Sequence, residues 1–141
     1  MRGEGEIKLQ EAVKFHGHLG PYLVLGLLAG QRALKELKCK KYFGLNVLAW
    51  GATRKPRSCL IDGLQLSCGA TYGKGNIRKL AGPAIKIEFS NISTRKKIVF
   101  NLNKDLVQEL NSVKTHKDSE LLARRLYKVN PLKIFKLTTG E

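Results

Sequence analysis

The stretch from Pro21 to Lys38 constrains this chain more than any other. Leu23, Val24, Leu27, Leu28, Leu34 and Leu37 keep helical spacing along it. Pro21 suits the first helical position, because its missing N–H would be unpaired there in any case. Gly26 and Gly30 stand one turn apart on one side. Each costs the helix about 1 kcal/mol relative to alanine, so their use lies in letting another backbone come close. The pattern predicts a central, heavily buried helix with a second element pressed against it. Its apolar core, Leu19 to Ala29, is roughly half the ~20 residues a membrane span needs, so no span is expected.

The other periodicities are short. A first helix begins near Ile7 and pauses at a loop around His16. Leu45 to Gly51 reads as a buried strand, Thr53 to Arg57 as a basic loop, and Cys59 to Cys68 as a second helix with Ser58 as its N-cap. Gly69 to Gly75 is a glycine-rich turn. Ile85, Ile87 and Phe89 alternate with polar residues, as do Ile98, Phe100 and Leu102, which predicts a hairpin turning at Asn91 to Thr94. Asn103 caps a helix through Val113, and Asp118 caps another that runs to Lys128. Pro131 stops it, and Leu132 to Leu137 forms a last strand. This order predicts a single α+β domain spanning 1–141, with helices packed on a sheet.

Three cysteines without a CxxC spacing exclude a disulfide framework and a zinc ribbon, and fit a reducing compartment. Met1 to Glu6 has no apolar segment behind its one basic residue, so the cytoplasm is the expected location. The net charge of +15 would attract polyanions, anionic metabolites or an acidic partner. The basic residues are spread along the chain and aromatics make up 7%, which argues against nucleic acid.

The chemistry concentrates ahead of the long helix, in Phe15-His16-Gly17-His18-Leu19-Gly20-Pro21. On a helix, side chains at i and i+2 point about 200° apart, whereas a glycine-containing loop can aim both imidazoles at one metal. The bland alternative has one ring bonded to the helix N-terminus and the other exposed. Cys59 would sit in the first turn of its helix, where free N–H groups, the helix dipole, Arg54, Lys55 and Arg57 favour a thiolate. Asp62 falls about 60° away on the wheel, sharing that face. A buried small hydrophobe is the equally open reading of Cys59. Cys39 and Cys68 are read as structural. Gly69-Ala70-Thr71-Tyr72-Gly73-Lys74-Gly75 fails as a phosphate loop on spacing, and Gly75 stands where Ser or Thr is required.

Phe15 to Gly26, Ser58-Cys59-Leu60-Ile61-Asp62-Gly63-Leu64-Gln65 and Thr71 to Asn76 together resemble the FmdE/FwdE family, named for one component of formylmethanofuran dehydrogenase. The resemblance implies an α+β fold with a mixed sheet, similar to the catalytic domain of glyceraldehyde-3-phosphate dehydrogenase, and a homodimer. It implies a divalent metal, usually zinc, on His16, His18 and Cys59, with Asp62, Gln65 and Lys74 lining the same pocket. Arg54 and Arg57 would add positive charge toward a small anionic ligand. Many relatives carry a cysteine where this chain has Gly20, so a solvent or substrate oxygen becomes the expected fourth ligand. No cysteine-rich extension precedes Glu141, so the core domain alone is expected. Molybdenum or tungsten chemistry belongs to other components of that enzyme, and a role beside them would be accessory. Two readings compete with the metal site: a metal-free reactive thiol at Cys59, and a basic nucleic-acid module.

Overall fold

The computed structural model describes residues 8–140; the expected helix start at Ile7 lies outside the described residues. In chain order the elements are α1 (Leu9–His16), α2 (Pro21–Leu37), β1 (Leu45–Trp50), α3 (Cys59–Cys68), β2 (Ile77–Leu80), β3 (Lys86–Asn91), β4 (Lys97–Leu102), α4 (Lys104–Asn111), α5 (His116–Tyr127), α6 (Pro131–Ile134) and β5 (Phe135–Gly140). The strands form one mixed sheet ordered β2-β1-β3-β4-β5, parallel between β1 and β2 and antiparallel elsewhere. The α+β expectation holds. Among the described residues no helix is long and apolar enough to cross a membrane.

Helix α2 is the axis of the molecule, with every residue from Pro21 to Gly30 buried. Helix α3 lies against it backbone to backbone. A Cβ on Gly26 would run into the Leu60 carbonyl oxygen and come within 2.9 Å of Gly63 Cα. A Cβ on Gly63 would in turn run into the Leu23 carbonyl oxygen. Ser67 Oγ donates to the Gly26 carbonyl at 3.0 Å, tying the pair one turn further on. The close approach expected from Gly26 is met by a matching glycine in α3. That glycine adjoins Asp62, so the contact that seats the two helices also fixes where Asp62 stands relative to the start of α2.

The sheet supplies the other half of the core. Val47, Phe89 and Ile98 are aligned across β1, β3 and β4, as are Ala49, Ile87 and Phe100, and all six are buried. Phe100 makes edge-on ring contacts with Phe89 and Phe135 at 5.1 and 5.5 Å. Such aromatic pairs contribute about 0.5–1.5 kcal/mol beyond their burial. Helix α5 packs on α2 through a buried face of Leu122, Ala123 and Leu126.

Several local expectations need correction. Strand β2 lacks a period-two signal, since only Ile77 of its four residues is buried; parallel pairing with β1 creates it. Pro131 opens α6, with Asn130 Oδ1 accepting from Leu132 N–H at 3.0 Å, so the last strand begins at Phe135 rather than Leu132. Helix α5 is capped by Thr115, whose Oγ1 accepts from Asp118 N–H at 3.0 Å; Asp118 lies within the helix. Asn103 does occupy the cap of α4, but its side chain makes no cap bond and donates instead to the Lys133 carbonyl at 2.7 Å. Ser58 is itself helical (φ −64°, ψ −15°) and makes no cap bond. A turn through residues 56–58 feeds straight into α3, with Cys59 N–H donating to the Pro56 carbonyl at 3.1 Å. The amide expected to be free at Cys59 is therefore already used.

Candidate metal centre

Helix α1 ends at His16, and Gly17 reverses the chain in the left-handed region (φ +107°). A side chain at that φ would be strained, so the turn needs glycine. The reversal brings His18 back beside His16, with ring centres 4.8 Å apart and planes 31° apart. The two histidines thus converge by a helix end followed by a glycine turn, not by lying together on one loop.

Asp62 in α3 completes the setting of His16. The His16 Nδ1 and Asp62 Oδ2 atoms are 2.6 Å apart. An ionised carboxylate only accepts, so Nδ1 carries the hydrogen of this bond and Nε2 is the ring's remaining polar atom. That Nε2 is buried and has no hydrogen-bond partner, on a side chain only 9% exposed. An unsatisfied buried polar atom costs about 1–3 kcal/mol. A histidine held through one nitrogen by a carboxylate, with the other nitrogen bare, has the outer-shell arrangement of a metal ligand.

Beside this pair lies a cavity of about 270 Å³ that His18, Cys59 and His116 all line. Tyr22, Leu110 and Val113 give it apolar walls, and Lys114 and Ser119 add polar groups. His18 and His116 meet edge to face, ring centres 5.7 Å apart. Burial pushes the pKa of His18 down, and the charges of His16 and His116 push the same way. Burial pushes the Cys59 thiol up, the Asp62 carboxylate adds to that, and Lys55 opposes both. Of the helix-terminus activation expected for a free thiolate, the open amide is missing, since α3's first amide is occupied, and the adjacent carboxylate pushes the other way.

The remaining ligand candidates have other engagements. Gln65 Oε1 accepts from Tyr72 N–H at 3.1 Å, holding the glycine-rich turn to α3. Lys74 lies over the Tyr42 and Phe43 rings at 5.8 and 5.6 Å. Arg57 donates to the Pro83 carbonyl at 3.1 Å and the Gly51 carbonyl at 3.4 Å, and its guanidinium also hydrogen-bonds the side chain of Tyr22, a wall of the cavity. Arg54 is exposed. None of these four lines the cavity, nor do His16 and Asp62, which meet it through the His18 ring. In the glycine-rich turn the amides of Thr71, Tyr72, Lys74 and Gly75 are already donated within the fold, which leaves no phosphate cradle of consecutive free amides. Cys68 is fully buried, donates to the Leu64 carbonyl at 3.0 Å, and has its pKa pushed up to about 11. Burial also raises the Cys39 thiol. Neither reaches this cavity, in keeping with the structural reading.

His116, Lys114 and Ser119 carried no signal in the sequence. They join the site because α5 packs along α2, which no local spacing reveals. Among the described residues, no three His, Cys, Asp or Glu side chains are gathered tightly enough to hold a metal ion as they stand. The donor chemistry nevertheless fits one: imidazoles in pairs, a thiol on the same cavity, and a bare, carboxylate-oriented nitrogen in His16.

Comparison with known proteins agrees with this frame. Curated proteins give no match. A solved structure of a tungsten formylmethanofuran dehydrogenase FmdE-like protein from Syntrophus aciditrophicus superposes with a TM-score of 0.66 at 18% identity, covering 94% of this chain and 70% of the other. At that identity the likeness speaks to fold. Residues 15–135 also match the profile described as FmdE, molybdenum formylmethanofuran dehydrogenase operon. With the profile running from the histidine turn through to the start of β5, the chain belongs to the FmdE family.

Proposed function

We propose that this domain holds a divalent metal ion, zinc before others, on His16, His18 and Cys59, and presents it to a small anionic ligand in the adjoining cavity. The observation that carries the reading is His16: its Nδ1 is locked by Asp62 and its Nε2 is buried without a partner. The ion would supply Lewis acidity or acidify bound water. Asp62 fixes the His16 tautomer, the apolar walls exclude water, and Lys114 supplies positive charge at the cavity. Lys114 takes the part first expected of Arg54 and Lys74, and Arg57 stands behind the wall residue Tyr22. On the same family reading the protein pairs with itself, works in the cytoplasm beside the components of formylmethanofuran dehydrogenase, and is akin in fold to the catalytic domain of glyceraldehyde-3-phosphate dehydrogenase.

Elemental analysis of protein purified without a histidine tag tests the core of this. About one metal per chain is expected, falling sharply in His16→Ala and Cys59→Ser. A metal-free wild type that also fails to take up zinc on titration would defeat it.

A second reading gains one observation. Tyr42, Phe43 and Tyr72 are 52, 75 and 48% exposed, with Lys41 and Lys74 over Tyr42 and Lys79 over Tyr72. Exposed rings beside lysines are the ingredients of a single-strand binding surface. Binding of a labelled oligonucleotide that weakens steeply with salt and with Phe43→Ala would support it; no binding at low salt would dismiss it.

A further inference from the structure

We infer that His116 is a fourth protein donor to the ion held by His16, His18 and Cys59, closing the side of the site where Gly20 has no side chain. This rests on the proposed metal site and deepens it.

Three independent features place His116 there. The first is ring spacing. With metal–nitrogen bonds of about 2.0–2.1 Å and tetrahedral angles, two imidazoles on one zinc have ring centres roughly 5 Å apart. The His16–His18 and His18–His116 separations of 4.8 and 5.7 Å bracket that value, with the His18 ring standing between the other two. The second is the cavity itself, which brings His18, Cys59 and His116 onto one surface from three different elements. The third is the gap at Gly20. A Cβ there would lie 3.4 Å from His18 Nε2 and 3.8 Å from Ser119 Oγ, so the first turn of α5 faces His18 across this glycine. Behind His18, His16 adds a buried Nε2 without a hydrogen-bond partner.

The backbone that presents His116 is fixed even though its ring is exposed. Thr115 caps α5 through Asp118 N–H, and its carbonyl accepts from Ser119 N–H at 3.0 Å. Closure on an ion calls for rotation of the His18 and His116 rings, both at the surface. Three nitrogens and one sulfur then surround the ion. An anion beside Lys114 reaches it as a fifth ligand, a number zinc accepts.

Cobalt(II) titration of the purified, metal-free chain provides the test, read by visible absorption and by competition with a chelator. Wild type should show the intense bands of a tetrahedral ion with a sulfur-to-metal charge-transfer band. His116→Ala should weaken cobalt affinity by at least the 10–100-fold that loss of an outer-shell partner costs, and should lower the d–d intensity as solvent enters. Adding Gly20→Cys to His116→Ala should restore affinity and increase the charge-transfer band; Gly20 is extended (φ −136°), so a side chain fits its backbone. A His116→Ala protein with wild-type affinity and spectrum overturns this inference alone, provided His16→Ala and Cys59→Ser still lose the ion. A wild type that binds no cobalt or zinc overturns both it and the metal reading.

Discussion

Gly26→Ala probes the contact on which the site depends. The new methyl would stand 2.9 Å from Gly63 Cα and 2.8 Å from Leu64 N, besides meeting the Leu60 carbonyl oxygen. Carbon atoms rest about 3.5–4.0 Å apart, so α3 must retreat from α2 by roughly 1 Å. The obstruction is backbone on both sides and cannot swing away like a side chain. Forcing such an insertion costs about 1–3 kcal/mol or more, against about 1 kcal/mol regained from alanine's helix propensity. Backbone on both sides puts the cost at the upper end, about 3 kcal/mol, so we expect a net loss of about 2 kcal/mol, which for a chain of this size lowers Tm by roughly 6–10 °C. Thermal unfolding followed by circular dichroism measures this. Gly73→Ala is the control: its Cβ meets only Thr71 Oγ1, at 3.8 Å, and stability should stay within about 0.5 kcal/mol. The retreat of α3 also draws Asp62 away from His16, which NMR of the His16 ring protons would register as a change in tautomer balance. A Gly26→Ala protein as stable as wild type, with unchanged His16 resonances, would refute the backbone-contact reasoning.

Other consequences follow from the same geometry. In metal-free protein the His18 pKa should lie below the ordinary value of about 6.5, and His116→Ala should raise it by removing one of the charges that depress it; NMR titration reads both. Because the folded state binds this proton less readily than the unfolded chain, the His18 contribution to stability is intact above about pH 6.5 and is lost as pH falls through the folded value. The Cys59 thiol, raised by burial and by Asp62, should alkylate slowly with iodoacetamide at pH 7, and Asp62→Asn should speed the reaction; a Cys59 faster than an ordinary thiol would revive the reactive-thiol reading. Thr115→Ala should cost about 1 kcal/mol by removing the α5 cap and should loosen metal binding as well, whereas Asp118→Ala should leave that cap hydrogen bond in place; equal losses in the two variants would show the cap misassigned.

Most of the frame was legible because it rests on local periodicity. The strict spacing from Leu23 to Leu37 gave α2, the alternations around Ile87 and Phe100 gave the hairpin, and Gly26 announced a close neighbour. Where the pattern was short or ambiguous, tertiary context decided. Ile77–Leu80 became a strand by pairing with β1. Pro131 opened a helix with help from Asn130, and Ser58 was absorbed into the turn it was expected to end. The ligand candidates fared by the same rule. Asp62 was found because it shares a helical face with Cys59, whereas Gln65 and Lys74 are polar or cationic groups near the motif in sequence but engaged with backbone or rings in space, and Arg57 touches the cavity only through Tyr22.

By itself the sequence determined the buried helix, the central hairpin, the family, and two imidazoles bracketing a glycine ahead of a thiol-bearing helix. These are properties of neighbours along the chain, fixed by side-chain period and by which residues tolerate a turn. The folded molecule alone decided which nitrogen of His16 is bare, how burial and Asp62 set the Cys59 thiol, and that His116 and Lys114 belong beside them. Those depend on α3 and α5 meeting α2, and the physical quantities involved (burial, charge separation and ring distance) exist only once segments remote in sequence touch.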